Sequence, residues 1–429
     1  MTQTEEKARN ARKASYLMAT LNGDARNHAL KSIEKALLSE VNRISEENRK
    51  DISDSKGMQD AMRKRLGLGK EKIEELVRGL SDISKMPDPV GRTLSAMELS
   101  NGLELYKVSC PIGVIGVIFE SRPDALVQIA ALCLKSGNSV LLKGGREAIR
   151  TNSILFRIIK DACGKILPVG WISLLEKREE ANEMLALDNY IDLIVPRGSN
   201  ELVRHVMENT SIPVLGHSSG ICHAYVDEDA DVSMALKICH DSKCQYPAAC
   251  NAVETILVHS KIAEKFLPAL KADLEGAGVK ILGDEGTRKF IDVENAKNAD
   301  WDTEYNNLVV SIKTVQDMEE AIEHINIHGS RHTDSIITNS SEKAEKFMSK
   351  VDSANVFWNC STRFSDGYRY GLGAELGIST SKVHARGPVG VDGLMTYKWK
   401  LIGKGHTVAE FSNGKSYSHK MLRREFPLQ

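Results

Sequence analysis

The chain has 429 residues, and 57 lysines and arginines nearly balance 58 aspartates and glutamates, which gives a net charge of -1. Because the basic residues are scattered, we expect neither a nucleic acid nor a membrane surface as partner, and a small molecule is favoured. No apolar run approaches the roughly 20 residues of a membrane span, and the N-terminus lacks the apolar core of a signal peptide. We therefore expect a soluble, cytoplasmic protein of about two or three domains.

Residues 1–90 are predicted to be helical. Apolar residues recur at steps of three and four behind a possible N-cap at Asp24, and they form the stripe Leu30, Ile33, Leu37, Val41 and Ile44. Such spacing places one apolar face along a helix. This region is therefore predicted to pack against the rest of the chain.

Residues 92–110 alternate apolar and polar side chains around Asn101 and Gly102, which is a strong hairpin signal. A hairpin between helical segments needs a sheet to join, and the extended C-terminal stretch offers strands for it. We predict an arm formed by 92–110 and 391–429. We expect this arm to join copies of the chain into a homodimer or a larger homo-oligomer.

From Pro111 onward, apolar runs alternate with helical stretches, which is typical of a parallel, doubly wound sheet. A second strand-rich region starts at Val253, so we place a domain boundary near residue 245. The first domain is predicted to span 1–91 and 111–244, and the second to span 245–390. The prediction is thus an α/β protein with two doubly wound parallel-sheet domains.

Loops with small and charged residues follow several strands of the first domain. No Gly-x-Gly-x-x-Gly fingerprint is present, but a parallel sheet binds its ligand at the carboxyl ends of its strands. Glycines let a phosphate approach the backbone, and helix N-termini attract anions. We predict cofactor contacts at Lys143, Gly144, Gly145, Arg146, Gly198 and Ser199. The two cations suit a ribose 2'-phosphate and favour NADP(H), although an ordinary strand-to-helix turn also fits each loop alone.

Cys250 stands directly before the predicted strand at 253. A thiol becomes a nucleophile only as a thiolate, in a polar and partly exposed setting. Pro247 stiffens the approach to the thiol and the polar Asn251 follows it, while the strand provides a rigid base. Cysteines are also among the most buried residues, so a nucleophile and an inert core thiol both remain open from this segment.

Two residue groups could be drawn as metal sites. Cys239, His240, Cys244 and Cys250 are close in sequence, but no second pair matches their spacing and the eight cysteines contain no Cys-x-x-Cys motif. We expect free thiols and no metal, and keep a non-catalytic metal-binding scaffold as an alternative.

The second group is His324, His328 and His332, which recur at steps of four. On a helix they would share one face, but Gly329 and Ser330 interrupt the pattern. We predict one turn of helix, then a loop and a strand.

Four long motifs carry a resemblance that extends over nearly the whole chain. In chain order they are VLGHSSGICHAYVD, YPAACNAVETILVH, AIEHINIHGSRHTDSI and GLGAELGISTSKVHARGPVGVDGL. They closely resemble the gamma-glutamyl phosphate reductase family of the aldehyde dehydrogenase superfamily. The resemblance implies an aldehyde-dehydrogenase-like fold, in which 1–91 and 111–244 bind NADP, 245–390 carries the nucleophile, and the arm mediates oligomerisation.

The resemblance also implies a reaction. Cys250 would attack the acyl phosphate of gamma-glutamyl phosphate and release phosphate, and NADPH would reduce the resulting thioester to glutamate 5-semialdehyde. Ser121 stands where hydrolytic relatives have an oxyanion-binding asparagine, and Asn251 follows the nucleophile. The amide of Cys250 is the safer oxyanion donor. Candidates for binding the anionic substrate are Arg122, His332 and Arg363.

Two further positions follow from the resemblance. Glu304 matches the glutamate that holds the nicotinamide ribose in relatives. The segment 216–220 lacks the glutamate with which hydrolytic relatives activate water, which fits an acyl group exchanged with phosphate. A hydrolytic NAD(P)-dependent aldehyde dehydrogenase remains the enzymatic alternative. Because the chain starts with the reductase helices, we expect a separate glutamate kinase to supply the substrate, with direct contact as a further hypothesis.

Overall fold

The computed structural model describes residues 1–55, 57–58, 63, 65–216 and 219–428. The chain divides into two compact units. Unit 1 comprises Met1–Leu215, Leu372–Gly377 and Val389–Gln429, and unit 2 comprises Gly216–Gly371 and Ile378–Pro388. Within the described ranges, no helix is both long enough and apolar enough to cross a membrane.

The helices and strands of the described residues are numbered here in chain order. The α-helices are α1 (Gln3–Met18), α2 (Gly23–Ser39), α3 (Val41–Asp54), α4 (Lys70–Lys85), α5 (Pro123–Lys135), α6 (Ile149–Cys163), α7 (Arg178–Leu185), α8 (Asn200–Glu208), α9 (Val232–Cys244), α10 (Ser260–Gly276), α11 (Met318–His328), α12 (Ser341–Lys350) and α13 (Val408–Ser412). The strands are β1 (Thr93–Ser100), β2 (Leu103–Pro111), β3 (Val114–Phe119), β4 (Ser139–Gly144), β5 (Ile172–Leu175), β6 (Leu193–Arg197), β7 (Cys222–Val226), β8 (Val253–His259), β9 (Lys280–Gly283), β10 (Glu294–Asn295), β11 (Val309–Val315), β12 (Thr333–Ile337), β13 (Asn355–Trp358), β14 (Ile378–Ser379), β15 (Gly387–Pro388), β16 (Met395–Ile402) and β17 (Lys420–Leu422).

Helices at the start of unit 1 pack on its sheet. Ala8 and Ala11 of α1 lie in one core cluster with Val114 and Leu141, because small side chains let the helix approach the strands closely. The predicted apolar stripe is divided between two helices, because Val41 and Ile44 belong to α3. Its first part, Leu30, Ile33 and Leu37, is buried on α2. The helix is capped by Asn22, whose side chain accepts a hydrogen bond from the amide of Ala25, and not by the predicted Asp24.

The centre of unit 1 is a parallel sheet with the strand order β5-β4-β3-β6. Every residue of β3 and β4 is buried, as expected for parallel strands covered by helices. Because the strands run parallel, the loops that follow β3, β4 and β6 meet at the carboxyl edge of the sheet. These loops hold the residues predicted to bind the cofactor.

Unit 2 is built on a parallel sheet with the strand order β10-β9-β11-β8-β7-β12-β13. Alternate residues of β7 enter different cores: Ala224 and Val226 pack with α9 and α10, whereas Tyr225 packs with α11 and α12. Helices therefore cover both faces of the sheet, since successive side chains of a strand point to opposite faces. The predicted doubly wound α/β class is confirmed.

The boundary between the compact units differs from the one expected near residue 245. β7 and α9 precede that position but belong to unit 2, because β7 hydrogen bonds with β8 on one side and β12 on the other. Residues 372–377 and 389–390, expected in the second domain, belong to unit 1. The compact units therefore divide the chain at Gly216.

The predicted arm forms an antiparallel sheet with the order β16-β2-β1-β17. β16 pairs with β2 over eight residues, from Met395 opposite Pro111 to Ile402 opposite Glu104. The pairing of the hairpin with the C-terminal strand is thus confirmed. Tyr106 and Phe426 make an edge-to-face contact in a small core on this sheet.

Candidate active site

Cys250 lies in the turn before β8, at the amino edge of the unit 2 sheet. It is half-buried, and the amide of Ala252 closes the turn by donating to the carbonyl of Ala249 at 2.9 Å. Gly220 precedes β7 at the same edge. A Cβ on Gly220 would overlap the carbonyl oxygen of Cys250 and lie 2.6 Å from its Cα. The two backbones are packed so closely that residue 220 has to be glycine.

Buried polar side chains fix this turn from the sheet side. The thiol of Cys222 donates to the carbonyl of Cys250 at 3.3 Å, and Nδ1 of His332 lies 3.7 Å from the Cys222 sulfur. The side-chain amide of Asn251 donates to the backbone carbonyl of Ser365 at 2.7 Å. Asn251 and His332 are both buried. Their placement favours positioning of the turn over the direct roles in catalysis and substrate binding that we predicted.

Arg363 is a buried cation beside the Cys250 turn. Its Nε donates to the side-chain oxygen of Gln245 at 2.9 Å, and only 8% of the residue is exposed. Burial lowers the pKa of the guanidinium, and the nearby Cys250 acts in the opposite direction. Within the described residues, no carboxylate forms an ion pair with Arg363. Asp366 and Asp241 are near enough to favour the charged form, but a buried guanidinium outside ion-pair distance of them is suited to an anionic ligand.

The remaining thiols are held in their protonated form. Burial raises the pKa of each of Cys110, Cys133, Cys163, Cys222, Cys239, Cys244 and Cys360. A raised pKa leaves little thiolate at neutral pH. These seven cysteines are therefore poor nucleophiles.

The structure does not bring together the residues of the first candidate metal site, Cys239, His240, Cys244 and Cys250. Cys239 packs in the hydrophobic core, whereas the half-buried His240 pairs with Asp273 at 2.7 Å. Among the described residues, no three metal-ligating side chains converge. This geometry gives no support to a metal-binding scaffold.

The second histidine group lies on a longer helix than predicted. α11 has eleven residues and includes both His324 and His328, although it does end at Gly329. The apolar contacts of Ala321, Ile322 and Ile325 with the core hold the helix together to this point. His324 is buried, and burial is the main reason why its pKa falls to about 2. It is therefore a neutral packing residue.

A buried ion pair lies behind the Cys250 turn. Nζ of Lys243 is 2.5 Å from Oε2 of Glu254, and both side chains are fully buried. The amide of Asn306, in the segment that carries Glu304, donates to the other Glu254 oxygen at 3.4 Å. Glu304 itself is half-buried and comes before β11, at the same sheet edge as Cys250. The pair thus connects the Cys250 turn with the Glu304 segment.

At the carboxyl edge of the unit 1 sheet, Ser121 is held by a carboxylate. Its amide and its hydroxyl donate to Oε1 of Glu147 at 2.6 and 3.0 Å. Ser121 is buried and has a left-handed backbone with φ of 49°, which costs energy for a residue other than glycine. Because both of its donors face Glu147, this geometry gives no support to Ser121 as an oxyanion donor.

The predicted cofactor cations lie on the next loop. Lys143 is buried and donates to the carbonyl of Gly144 at 2.6 Å, while Arg146 is exposed. Burial lowers the pKa of Lys143, and Glu147 acts against this effect. Arg122 is exposed and pairs with Asp124 at 3.3 Å. Two cations beside a glycine backbone form a donor set that fits the phosphates of an NADP molecule.

The third loop opens α8. The amide of Ser199 donates to Oε2 of Glu120 at 3.0 Å, and the Ser199 hydroxyl caps the helix by accepting from the amide of Leu202. A Cβ on Gly198 would overlap the Glu120 carboxylate. The sequence analysis predicted roles for Gly198 and Ser199 but did not single out Glu120 and Glu147, whose carboxylates lie on the loops of this sheet edge. The one sequence feature that could have pointed to these two glutamates is that an acidic residue stands in or beside each loop.

The predicted loss of the water-activating glutamate falls on the segment 216–220. His217 and Ser218 lie outside the described residues. Gly220 is the part of this segment that the structure connects with Cys250.

Comparisons with known proteins define the class first. The sequence model of the aldehyde dehydrogenase family matches residues 2–288 and 290–396. The chain therefore belongs to the aldehyde dehydrogenase family, as its two parallel sheets and its cysteine turn indicate.

Full-length relatives then give the particular family. The gamma-glutamyl phosphate reductase of Acetivibrio thermocellus is 55% identical over 427 residues, which are 99% of each chain. That of Methanosarcina mazei is 47% identical, with 98% of each chain covered. The crystal structure of the Thermotoga maritima gamma-glutamyl phosphate reductase has a TM-score of 0.92 and 38% identity, covering 95% of this chain and all of that one. The chain belongs to the gamma-glutamyl phosphate reductase family, which confirms the resemblance.

Proposed function

We propose that this chain reduces gamma-glutamyl phosphate to glutamate 5-semialdehyde and releases inorganic phosphate, as the second step of proline biosynthesis from glutamate. Membership of the reductase family over the full length supports this reaction. The observation that carries it is the Cys250 turn beside the buried Arg363. A partly exposed thiol next to a buried cation suits an acyl phosphate, which is both electrophilic and anionic.

The first step is acyl transfer to Cys250. The thiolate sulfur forms a bond to the acyl carbon, the bond from that carbon to the phosphate oxygen breaks, and phosphate leaves with the electron pair. Arg363 stabilises the anion, and the Cys250 amide is the proposed donor to the carbonyl oxygen as it gains charge. Gly220, Cys222 and Asn251 hold the turn so that the sulfur and the amide keep their positions.

The second step needs a nicotinamide cofactor. NADPH, when bound, supplies the hydride that reduces the thioester carbonyl. We propose that Lys143 and Arg146 bind its 2'-phosphate, that the loops with Gly144, Gly145, Gly198 and Ser199 receive its phosphates, and that Glu304 accepts hydrogen bonds from a ribose. The preference for NADPH over NADH follows from the two cations.

The last step is collapse of the thiohemiacetal on Cys250. The carbon–sulfur bond breaks, the semialdehyde leaves and the thiol is restored. The absence of a glutamate from 216–220 fits this sequence, because a base that activates water would hydrolyse the thioester.

Dependence on phosphate tests the proposal. Run in reverse, the reaction consumes glutamate semialdehyde, phosphate and NADP, since the thioester is cleaved by phosphate. We expect NADP reduction to require phosphate or arsenate, as followed by absorbance at 340 nm. NADP reduction at the same rate without either anion would instead indicate the hydrolytic alternative.

The partners follow from the substrate. Gamma-glutamyl phosphate is an unstable acyl phosphate, and we propose that a separate glutamate kinase supplies it nearby and that both proteins act in the cytoplasm. A pull-down with the kinase tests for direct contact between the two proteins.

A further inference from the structure

Carboxylates of the protein lie on the backbone amides at the carboxyl edge of the unit 1 sheet. Glu120 accepts from the amide of Ser199, and Glu147 accepts from the amide of Ser121. The amide of Ser199 belongs to a loop where the cofactor phosphates are proposed to bind, and Ser121 lies on the loop after β3 at the same sheet edge. Negative charge of the protein itself is thus present at the edge that has to receive an anion.

The loop after β6 is shaped around Glu120. The amide of Glu120 donates to the carbonyl of Arg197 at 3.0 Å, so the backbone of residue 120 is fixed beside the end of β6. Its half-buried side chain then reaches the N-terminus of α8. A Cβ on Gly198 would lie 2.9 Å from Cδ of Glu120, so the carboxylate occupies space that glycine leaves open. A carboxylate is stabilised there because the first amides of a helix attract anions.

The two carboxylates differ in how firmly they are held. Glu147 accepts two hydrogen bonds from the buried and backbone-strained Ser121. The hydrogen bond that Glu120 accepts comes from the exposed Ser199, where solvent can replace either partner. Glu120 can therefore swing away from its amide, whereas Glu147 serves to fix Ser121.

We infer that Glu120 competes internally with the pyrophosphate of the cofactor for the N-terminus of α8. The inference rests on the proposed function, because it assumes that this edge binds the cofactor. A pyrophosphate at this N-terminus needs the Ser199 amide, which already donates to Glu120. The two anions also repel each other when both are at this N-terminus. Glu120 thus lowers the affinity of the protein for both oxidised and reduced cofactor and speeds cofactor release.

Binding of NADPH without substrate tests the inference. The Kd is measured by isothermal titration calorimetry for wild type, Glu120→Gln, Glu120→Asp and the control Glu179→Gln. Gln keeps the size of the side chain but removes its charge, while Asp keeps the charge. Glu179 is also an exposed carboxylate of unit 1 whose charge acts on Lys143, so it controls for a general change in charge near the loops.

We expect Glu120→Gln to bind NADPH about fivefold more tightly than wild type, and Glu120→Asp and Glu179→Gln to stay near wild type. Circular dichroism verifies folding, and Glu120→Ala replaces the Gln variant if that variant is misfolded. Unchanged or weaker binding by the neutral variant overturns the inference and leaves the proposed reaction standing. If the wild type itself binds no NADPH, the proposed cofactor and the inference both fail.

Discussion

Lys243 and Glu254 show what one buried contact contributes. Their side chains are fully buried and 2.5 Å apart, and each is the other's charge partner. Burial raises the pKa of Glu254 to about 7, and Lys243 opposes this rise. Removing one partner leaves an uncompensated buried charge, whereas removing both leaves an apolar site.

We predict that Glu254→Gln lowers the free energy of unfolding by about 3–5 kcal/mol, and that the double variant Lys243→Met/Glu254→Leu recovers much of this loss. Urea denaturation measures both. Glu319→Gln, which breaks half-exposed ion pairs with Lys346 and Lys350, is the control and is expected to cost under about 1 kcal/mol. Equal costs for Glu254→Gln and the control would contradict this account of the pair.

His324 makes stability depend on pH. Its pKa is lowered to about 2, mainly by burial and further by His223, so the folded chain keeps it neutral where an unfolded histidine takes a proton. The stability that neutral His324 contributes is fully present above pH about 6.5. As the pH falls below this value, the free energy of unfolding decreases by about 1.4 kcal/mol per pH unit. We expect His324→Gln to flatten the dependence of unfolding free energy on pH between 6 and 5. The exposed His205→Gln should leave that slope unchanged, and a steep slope in His324→Gln would count against the assignment.

At the scale of elements, the position of the Cys250 turn depends on a contact between two loops. Gly220→Ala would place a Cβ against the carbonyl of Cys250 and displace the turn. Because a shift of about 1 Å at a nucleophile costs about 100-fold in rate, we predict that order of loss in kcat, with a smaller change in the Kd for NADPH. Steady-state kinetics and calorimetry measure the two quantities.

Gly276→Ala is the matched control for this substitution. Gly276 ends α10, and a Cβ at this position would meet no atom within 4 Å beyond its own stretch of helix backbone, so alanine should leave kcat unchanged. A Gly220→Ala enzyme as active as Gly276→Ala would show that the turn tolerates a side chain at residue 220.

Secondary-structure elements were predicted correctly from the sequence where a local pattern defines them. Asn101 and Gly102 marked the hairpin, and the alternation of apolar runs with helices marked the parallel sheets. The length of α11 was underestimated, because the apolar contacts that hold it to His328 come from strands distant in sequence. The grouping of Gly220, Cys250, Glu304 and His332 at one amino edge also depends on strand order, which no local pattern contains.

At the scale of the whole molecule, the arm presents an exposed edge. Tyr397, Trp399 and Leu401 of β16 are all exposed, and an apolar edge strand tends to pair with another chain. We predict that Trp399→Lys shifts the protein toward monomer in analytical ultracentrifugation. Val169→Lys alters another exposed apolar residue of unit 1, outside the arm, and should leave the mass unchanged. An unchanged mass for Trp399→Lys would contradict the predicted role of the arm.

The division of the chain was the hardest feature to predict. The sequence placed the boundary where the catalytic motif begins, but β7 joins unit 2 through hydrogen bonds to strands that come later in the chain. The Gly- and Ser-rich segment 216–220 marks a loop, but loops inside a domain have the same composition, so this signal does not identify the boundary. Cys250 was different, because the motif through which the resemblance nominates it is a local pattern; its role as the nucleophile stays a prediction.

The central claim is that Cys250 carries the acyl group between phosphate and hydride. Phosphate-dependent reduction of NADP by glutamate semialdehyde tests it most directly when wild type, Cys250→Ala and the half-buried Cys244→Ala are compared. We predict that Cys250→Ala retains the wild-type circular dichroism spectrum but loses activity by at least about 1000-fold, whereas Cys244→Ala stays active. Activity of Cys250→Ala at the wild-type level would contradict the account.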